Sequence, residues 1–174
     1  MRSGFALALV LAFAPVQVAC SSPSGESLSA GGQAAPENRK SGADSSAVHP
    51  ESGLAVIPLA VHTRKTTHRF RVEFAQSPFD QAKGLMFRTT MGDDEGMLFP
   101  FEQPREASFW MRNTVIPLDI IFIGADRRII NIEANAVPYS EDKRRSAGKA
   151  AAVLELTGGR AAVLGIAAGD KVTW

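Results

Sequence analysis

Glycine and proline recur so often between Leu54 and Trp174 that they cut this stretch into short segments, and that spacing constrains the fold more than any other feature. The segments alternate like strands. Thr67 to Ala75 places Phe70, Val72 and Phe74 on one side and Arg69, Arg71 and Glu73 on the other, the period of a half-buried strand. Val56 to Val61 precedes it as an edge strand or strand start, since Pro58 has no N–H for a ladder. Met97 to Phe101, Ala107 to Arg112 and Leu118 to Ile123 follow as strands, and Gly124-Ala125-Asp126 turns the chain into Arg128 to Glu133, the second arm of a hairpin. Pro138 to Gly148 reads as a polar loop with Lys143-Arg144-Arg145 in solvent, Ala151 to Leu156 as a strand, and Lys171-Val172 as the start of a last strand.

One or two short helices are expected among these strands. Ser77-Pro78-Phe79-Asp80 supplies an N-cap, a proline at the first helical position and an acid in the first turn, with Phe79, Ala82 and Leu85 or Met86 as the apolar stripe and Gly84 near the end. Arg160 to Leu164, after Gly158-Gly159, forms a second short helix or turn. Strands of this length with turn signals about every ten residues predict a mainly β, compact, jelly-roll-like sandwich or barrel with one or two short helices. The 121 residues from 54 to 174 suffice for one core.

The first 53 residues have a different character. Met1-Arg2, an apolar run from Phe5 to Val16 and Gln17-Val18-Ala19-Cys20 have the proportions of a signal peptide, too short to span a bilayer. The end of this segment resembles a bacterial lipobox, which implies that Cys20 is lipidated after export and becomes the mature N-terminus. Gln17 stands where that pattern favours an aliphatic residue, and Ala12-Phe13-Ala14 is the competing cleavage site of a plainly secreted protein. Ser21 is not the aspartate of inner-membrane retention, which favours the outer membrane in a Gram-negative cell. Residues 21–53 hold nine Ser, five Gly and three Pro and no aromatic residue, so they cannot bury enough apolar surface to offset their ordering entropy. They are expected to be a disordered tether, and 33 such residues span roughly 30 Å end to end.

Charge and cysteine usage narrow the function. Nineteen Lys+Arg against eighteen Asp+Glu give a net charge of +1, which offers no electrostatic footprint for nucleic acid. One cysteine excludes a disulfide framework and any multi-cysteine metal site, and no cofactor is implied.

Three blocks, Gly84-Leu85-Met86-Phe87-Arg88, Gly96-Met97-Leu98-Phe99-Pro100-Phe101 and Ser108 to Ile123, closely resemble the domain-of-unknown-function 192 family; Val153-Leu154-Glu155-Leu156 with Gly158-Gly159, and Gly165-Ile166 with Gly169-Asp170, also match. The resemblance covers roughly residues 56–174. It implies a compact, mainly β, jelly-roll-like domain, often exported or lipid-anchored, and brings no activity with it. Some relatives carry cysteines before the Leu-Glu strand; their absence here leaves no thiol mechanism to carry over.

Several side chains are candidates for chemistry. Trp110, Arg112, Asn113, Thr114 and Asp119, with Arg88, make a ligand-binding set: an indole stacks on a planar, sugar-like or carboxylate-bearing ligand while a guanidinium fork holds paired oxygens. The competing reading keeps the tryptophan in the core, uses Asn113, Thr114 and Asp119 to satisfy loop backbone, and ion-pairs Asp119 with Arg88 or Arg112. Asp119 and Glu133, with Glu155 as a third, are the candidate paired acids of a hydrolase or lyase acting on envelope polysaccharide. Met86, Met97 and Met111 with His68 are candidate Cu(I) ligands, set against simple core packing and a satisfied core histidine. The reading that best joins these features is an exported, lipid-anchored envelope domain that binds a ligand or protein without catalysis, with the membrane and an envelope molecule as its partners.

Overall fold

The computed structural model describes residues 47–174. Cys20, the lipobox and the tether as far as residue 46 lie outside the described residues. The strands are β1 (Ala47–Val48), β2 (Ala55–His62), β3 (Thr67–Phe74), β4 (Glu95–Phe109), β5 (Leu118–Gly124), β6 (Ile129–Ala136), β7 (Arg144–Thr157) and β8 (Lys171–Thr173), and the helices are α1 (Pro78–Lys83) and α2 (Arg160–Leu164). The domain is mainly β. Its strands form one sheet in the order β1-β2-β3-β4-β7-β5-β6, with β8 also paired to β2. The sheet folds over on itself without closing into a barrel.

Only β3 and β4 run parallel; every other pairing is antiparallel. A parallel step needs a crossover, and the segment carrying α1 supplies it. Helix α1 is capped as its sequence requires: Ser77 Oγ accepts from the Asp80 N–H at 3.1 Å, Pro78 opens the helix and Gly84 closes it. No residue of α1 is buried, however, and Phe79 is exposed. The expected apolar stripe is therefore corrected. Its buried members, Leu85 and the half-buried Met86, follow the helix rather than sit on it.

Strands β4, β5 and β7 lie at the centre and divide the interior into two clusters. Leu98, Ile121, Ile123, Leu154 and Leu156 face Leu59, Val61, Phe70, Val72 and Val172. Met97, Phe99, Ile120, Phe122 and Val153 face the other way, toward Leu85, Met111, Ala107 and Phe109. Burying a large apolar side chain contributes about 1.5–3 kcal/mol, so alternation along each central strand feeds two cores at once.

Four sequence expectations change. The two strands read at Met97–Phe101 and Ala107–Arg112 are one long strand, interrupted by a bulge where Pro100 pairs with Ala152 and Arg105 with Ala150. Residues 101–104 thus face only Ala151 on the partner; Pro104 cannot donate to the ladder, and the extra residues arch away from it. That strand also stops at Phe109, because Asn113 adopts a left-handed φ of 57° in the turn that follows. Arg144 and Arg145, expected in a solvated loop, begin β7 and pair with Phe109 and Ser108. Residues 47–53, read as the end of the tether, are ordered: Ala47 and Val48 pair with Val56 and Ala55.

Gly96 shows how closely β4 and β7 approach. A Cβ there would sit 2.5 Å from the Glu155 carbonyl oxygen and 2.9 Å from the Leu156 side chain. Gly96→Ala is expected to lower unfolding free energy by about 1–3 kcal/mol, through displaced backbone at the sheet centre. Urea denaturation checks this, and an unchanged midpoint would contradict the close contact.

Candidate functional site

The bulge in β4, the turn after it and the approach to α1 together enclose a cavity of about 380 Å³. Its walls are aromatic, from Phe99, Phe101, Phe109 and Trp110, with Leu85 and Met86 completing the apolar lining. Gln81 and Ala82 of α1 close one side; Gln81 is held there by donating to the Ala75 and Pro100 carbonyls at 3.2 and 2.7 Å. Three exposed cations, Lys83, Arg105 and Arg112, also line the cavity, and their exposure places them at its mouth. Arg105 lies 4.2 Å over the Phe101 ring, and Trp110 is contacted by Arg112 at 5.8 Å and by Lys143 at 3.9 Å. These cation–π contacts fix the rings and hold positive charge beside them.

The acid in this lining is Glu155, on β7, with 4% of its surface exposed. It shares a sheet face with its register partners Met97 and Ile120. Burial raises its pKa from 4.5 to about 8 through desolvation, with no ion pair or hydrogen bond to its carboxyl among the described residues. At neutral pH the group is therefore an uncharged carboxylic acid that can donate a hydrogen bond.

The loops around the mouth are held by backbone. Phe87, Asn113 and Tyr139 all have left-handed φ values, 64°, 57° and 61°. Such a conformation is mild for Asn and costs a bulkier side chain about 1 kcal/mol or more. The three turns are joined: the Phe87 N–H donates to the Asn113 carbonyl, Tyr139 N–H to the Thr114 carbonyl, and Met111 N–H to the Ser140 carbonyl, at 2.8, 3.1 and 2.8 Å. Met111 is thereby drawn into the core while Trp110 and Arg112 face out. A turn beyond the end of β4, and not strand alternation, produces this inward and outward division.

The predicted ligand set is split by the fold. Trp110, Arg112 and Thr114 line the cavity, and Asn113 stands behind it, its amide toward the Met86 sulfur at 3.8 Å. Arg88 and Asp119 do not reach it. Arg88 is buried in an ion pair with Glu73, at 2.8 Å to one oxygen and 3.1 Å to the other, and its Nε reaches Glu51 at 3.0 Å. His49 completes this group, 3.4 Å from Arg88. The arginine thus clamps the segment before β2 onto β3.

Asp119 is fully buried on β5, and it does not pair with Arg88 or Arg112. Its Oδ1 accepts from the Asn135 and Gly159 N–H groups at 2.7 and 2.9 Å, and its Oδ2 from the Ala161 N–H at 2.7 Å. The carboxylate caps α2 from a distance, because Gly159 at the helix start has no side chain to do so. Glu133 is opposite Ile120 in the ladder, so it points to the face away from Asp119. The paired-acid arrangement expected of Asp119 and Glu133 is overturned.

The Cu(I) set does not assemble either. Met97 and Met111 are packed in the core on one side of the central strands. His68 pairs with Val61 in register and so lies on the face of β3 that meets the opposite core. Its Nε2 is buried without a hydrogen-bond partner, so it is not the satisfied core histidine expected. No group of three or more His, Cys, Asp or Glu among the described residues is placed to hold a metal ion.

The DUF192 family profile, described as "Uncharacterized ACR", matches residues 60–174. The chain belongs to the DUF192 family. No curated protein matches it. Among solved structures, this DUF192 chain is similar to a protein of unknown function from Novosphingobium aromaticivorans, at 59% identity and a TM-score of 0.73, covering 74% of this chain and 91% of that one. It is also similar to a "putative transcription regulator" from Sinorhizobium meliloti, at 40% identity and a TM-score of 0.67, covering 69% of this chain and 94% of that one.

Two predictions follow from these acids. Asp119→Asn is expected to cost roughly 2–4 kcal/mol, since an amide places N–H groups against donors that lose their acceptor; a lower urea midpoint at constant m-value checks it. For Glu155, the folded protein keeps the proton to about pH 8 whereas an ordinary carboxyl releases it near 4.5. The stability this contributes is whole below pH 4.5 and is lost as pH rises to about 8, by at most about 1.4 kcal/mol per pH unit. Glu155→Gln should remove that component, so its stability relative to the parent improves from pH 5 to pH 8. Parallel pH profiles for parent and variant would contradict it.

Proposed function

We propose that this DUF192 protein is an exported, lipid-anchored envelope domain that binds a small molecule in the cavity beside Trp110, without catalysis. The carrying observation is Glu155, a carboxyl group 4% exposed in an aromatic-walled cavity, with no partner among the described residues to offset its desolvation. An internal acid of this kind lowers stability near neutral pH, and a ligand that hydrogen-bonds to it recovers part of that cost. The volume falls within the range of small-molecule pockets, and the lining sets aromatic and aliphatic groups beside Gln81, Ser108, Thr114, Glu155 and three cations. The anchor rests on Cys20 and the segment before it, and the Ser- and Gly-rich stretch after Cys20 gives the domain reach from a membrane surface. A hydrolase reading that pairs Asp119 with Glu133 is not supported, because the two face opposite ways, and Glu155 is the one acid in the cavity lining.

Two measurements test this. In a small-molecule screen followed by protein NMR, a ligand is expected to shift the Trp110 indole and the residues around Glu155 together, and Trp110→Ala to weaken it about tenfold. A folded Trp110→Ala variant with unchanged affinity would remove the cavity from the reading. For the anchor, the parent is expected in the detergent phase of a Triton X-114 partition and Cys20→Ala in the aqueous phase. Identical partition would remove the lipid.

A further inference from the structure

The cavity carries opposite demands at its two ends. At the mouth, Lys83, Arg105 and Arg112 are all cationic and none is in an ion pair with a described acid. Inside, Glu155 is 4% exposed, shares the lining with Phe99 and Phe109, and is neutral at pH 7. A ligand cation would have to pass three positive groups to reach a carboxyl that burial keeps protonated. An anion meets attraction at the mouth, and an uncharged acceptor meets a donor inside.

We propose that the cavity takes an organic anion with an apolar, ring-sized body, its charge held at the mouth by Arg105, Arg112 and Lys83 and its far end accepting a hydrogen bond from the Glu155 carboxyl. This rests on the small-molecule reading above and adds the chemical class. Guanidinium forks hold a carboxylate through paired hydrogen bonds, and the aromatic walls contribute area without directional demand. The charged groups around Glu155 are those three cations on the cavity side and Glu133, reached across Ile120 on the same sheet face. Glu133 is partly exposed, and it sits on the sheet rather than in the cavity lining.

Four probes of one size separate the demands: 4-hydroxyphenylacetate is an anion, tyramine a cation, 4-ethylphenol neutral, and phenylacetate an anion without the far hydroxyl. By NMR titration of the intact domain at pH 6.5, 4-hydroxyphenylacetate is expected to bind at least about tenfold more tightly than tyramine, with phenylacetate weaker than 4-hydroxyphenylacetate. Arg105→Gln and Arg112→Gln should each reduce the preference for the anion. Affinity for 4-acetylphenylacetate, whose ketone oxygen can only accept, should fall about tenfold from pH 6.5 to 9, as a carboxyl titrating at about 8 ionises, and Glu155→Gln should abolish that fall. The charge series on the parent protein needs no folded variant. Preference for tyramine, or equal binding of anion and cation, overturns the anion assignment and leaves the small-molecule reading standing. Cavity shifts with none of the four, alongside an empty wider screen, remove both.

Discussion

Strand β7 is hydrogen-bonded along both edges, to β4 and to β5, and its residues from Ala152 to Leu156 are buried on both faces. Every other part of the domain is placed by reference to it. The strands beside it send alternate side chains to two separate cores, and the close approach at Gly96 lets β4 lie flat against it. A strand enclosed in this way should be apolar throughout, as in sheets covered on both sides. Glu155 breaks that rule at one position, and the cavity lies above that position.

The acids of this domain differ in how their burial is compensated. Glu73 is neutralised by Arg88, and the pair holds the chain from His49 to Glu51 against β3. Asp119 is compensated by three backbone N–H groups and fixes the start of α2 and the Asn135 turn. Glu155 has neither kind of partner among the described residues, and it keeps its proton instead. The first two build structure, since their bonding capacity is used inside the fold. The third has unused capacity facing a cavity, which is the condition for recognising something from outside.

The rim of that cavity depends on irregular backbone. The bulge after Pro100 brings Phe101 and Arg105 over the opening, and the left-handed turns at Phe87, Asn113 and Tyr139 lock three loops together below it. Regular strands would have left Trp110 and Arg112 on a flat ladder. The same irregularities explain why Met97 to Phe101 and Ala107 to Arg112 read as two strands, although the chain continues along the same partner.

Much of the domain was legible from residue order. Alternation from Thr67 to Phe74, the Ser77-Pro78 cap, the Gly124 hairpin and the Gly159 break mark elements whose causes are local, because dihedral preference and periodicity act over a few residues. The candidate site was legible only in part. Trp110, Arg112 and Thr114 stand out as polar and aromatic residues in one block, and they do meet at the cavity. Asp119 stands out in the same way yet serves backbone 16 to 42 residues away, and Lys83 and Arg105 carry no mark at all. The signal for Glu155 was present in its setting: one acid within a run too apolar for a half-exposed strand has to be buried. What the sequence determined alone was the alternation of β3, the cap of α1 and the turns at Gly124 and Gly159, since each follows from neighbours along the chain. Which polar groups Glu155 would meet was decided by the tertiary structure, because strand order and the β4 bulge bring together residues whose separation in sequence carries no information about distance.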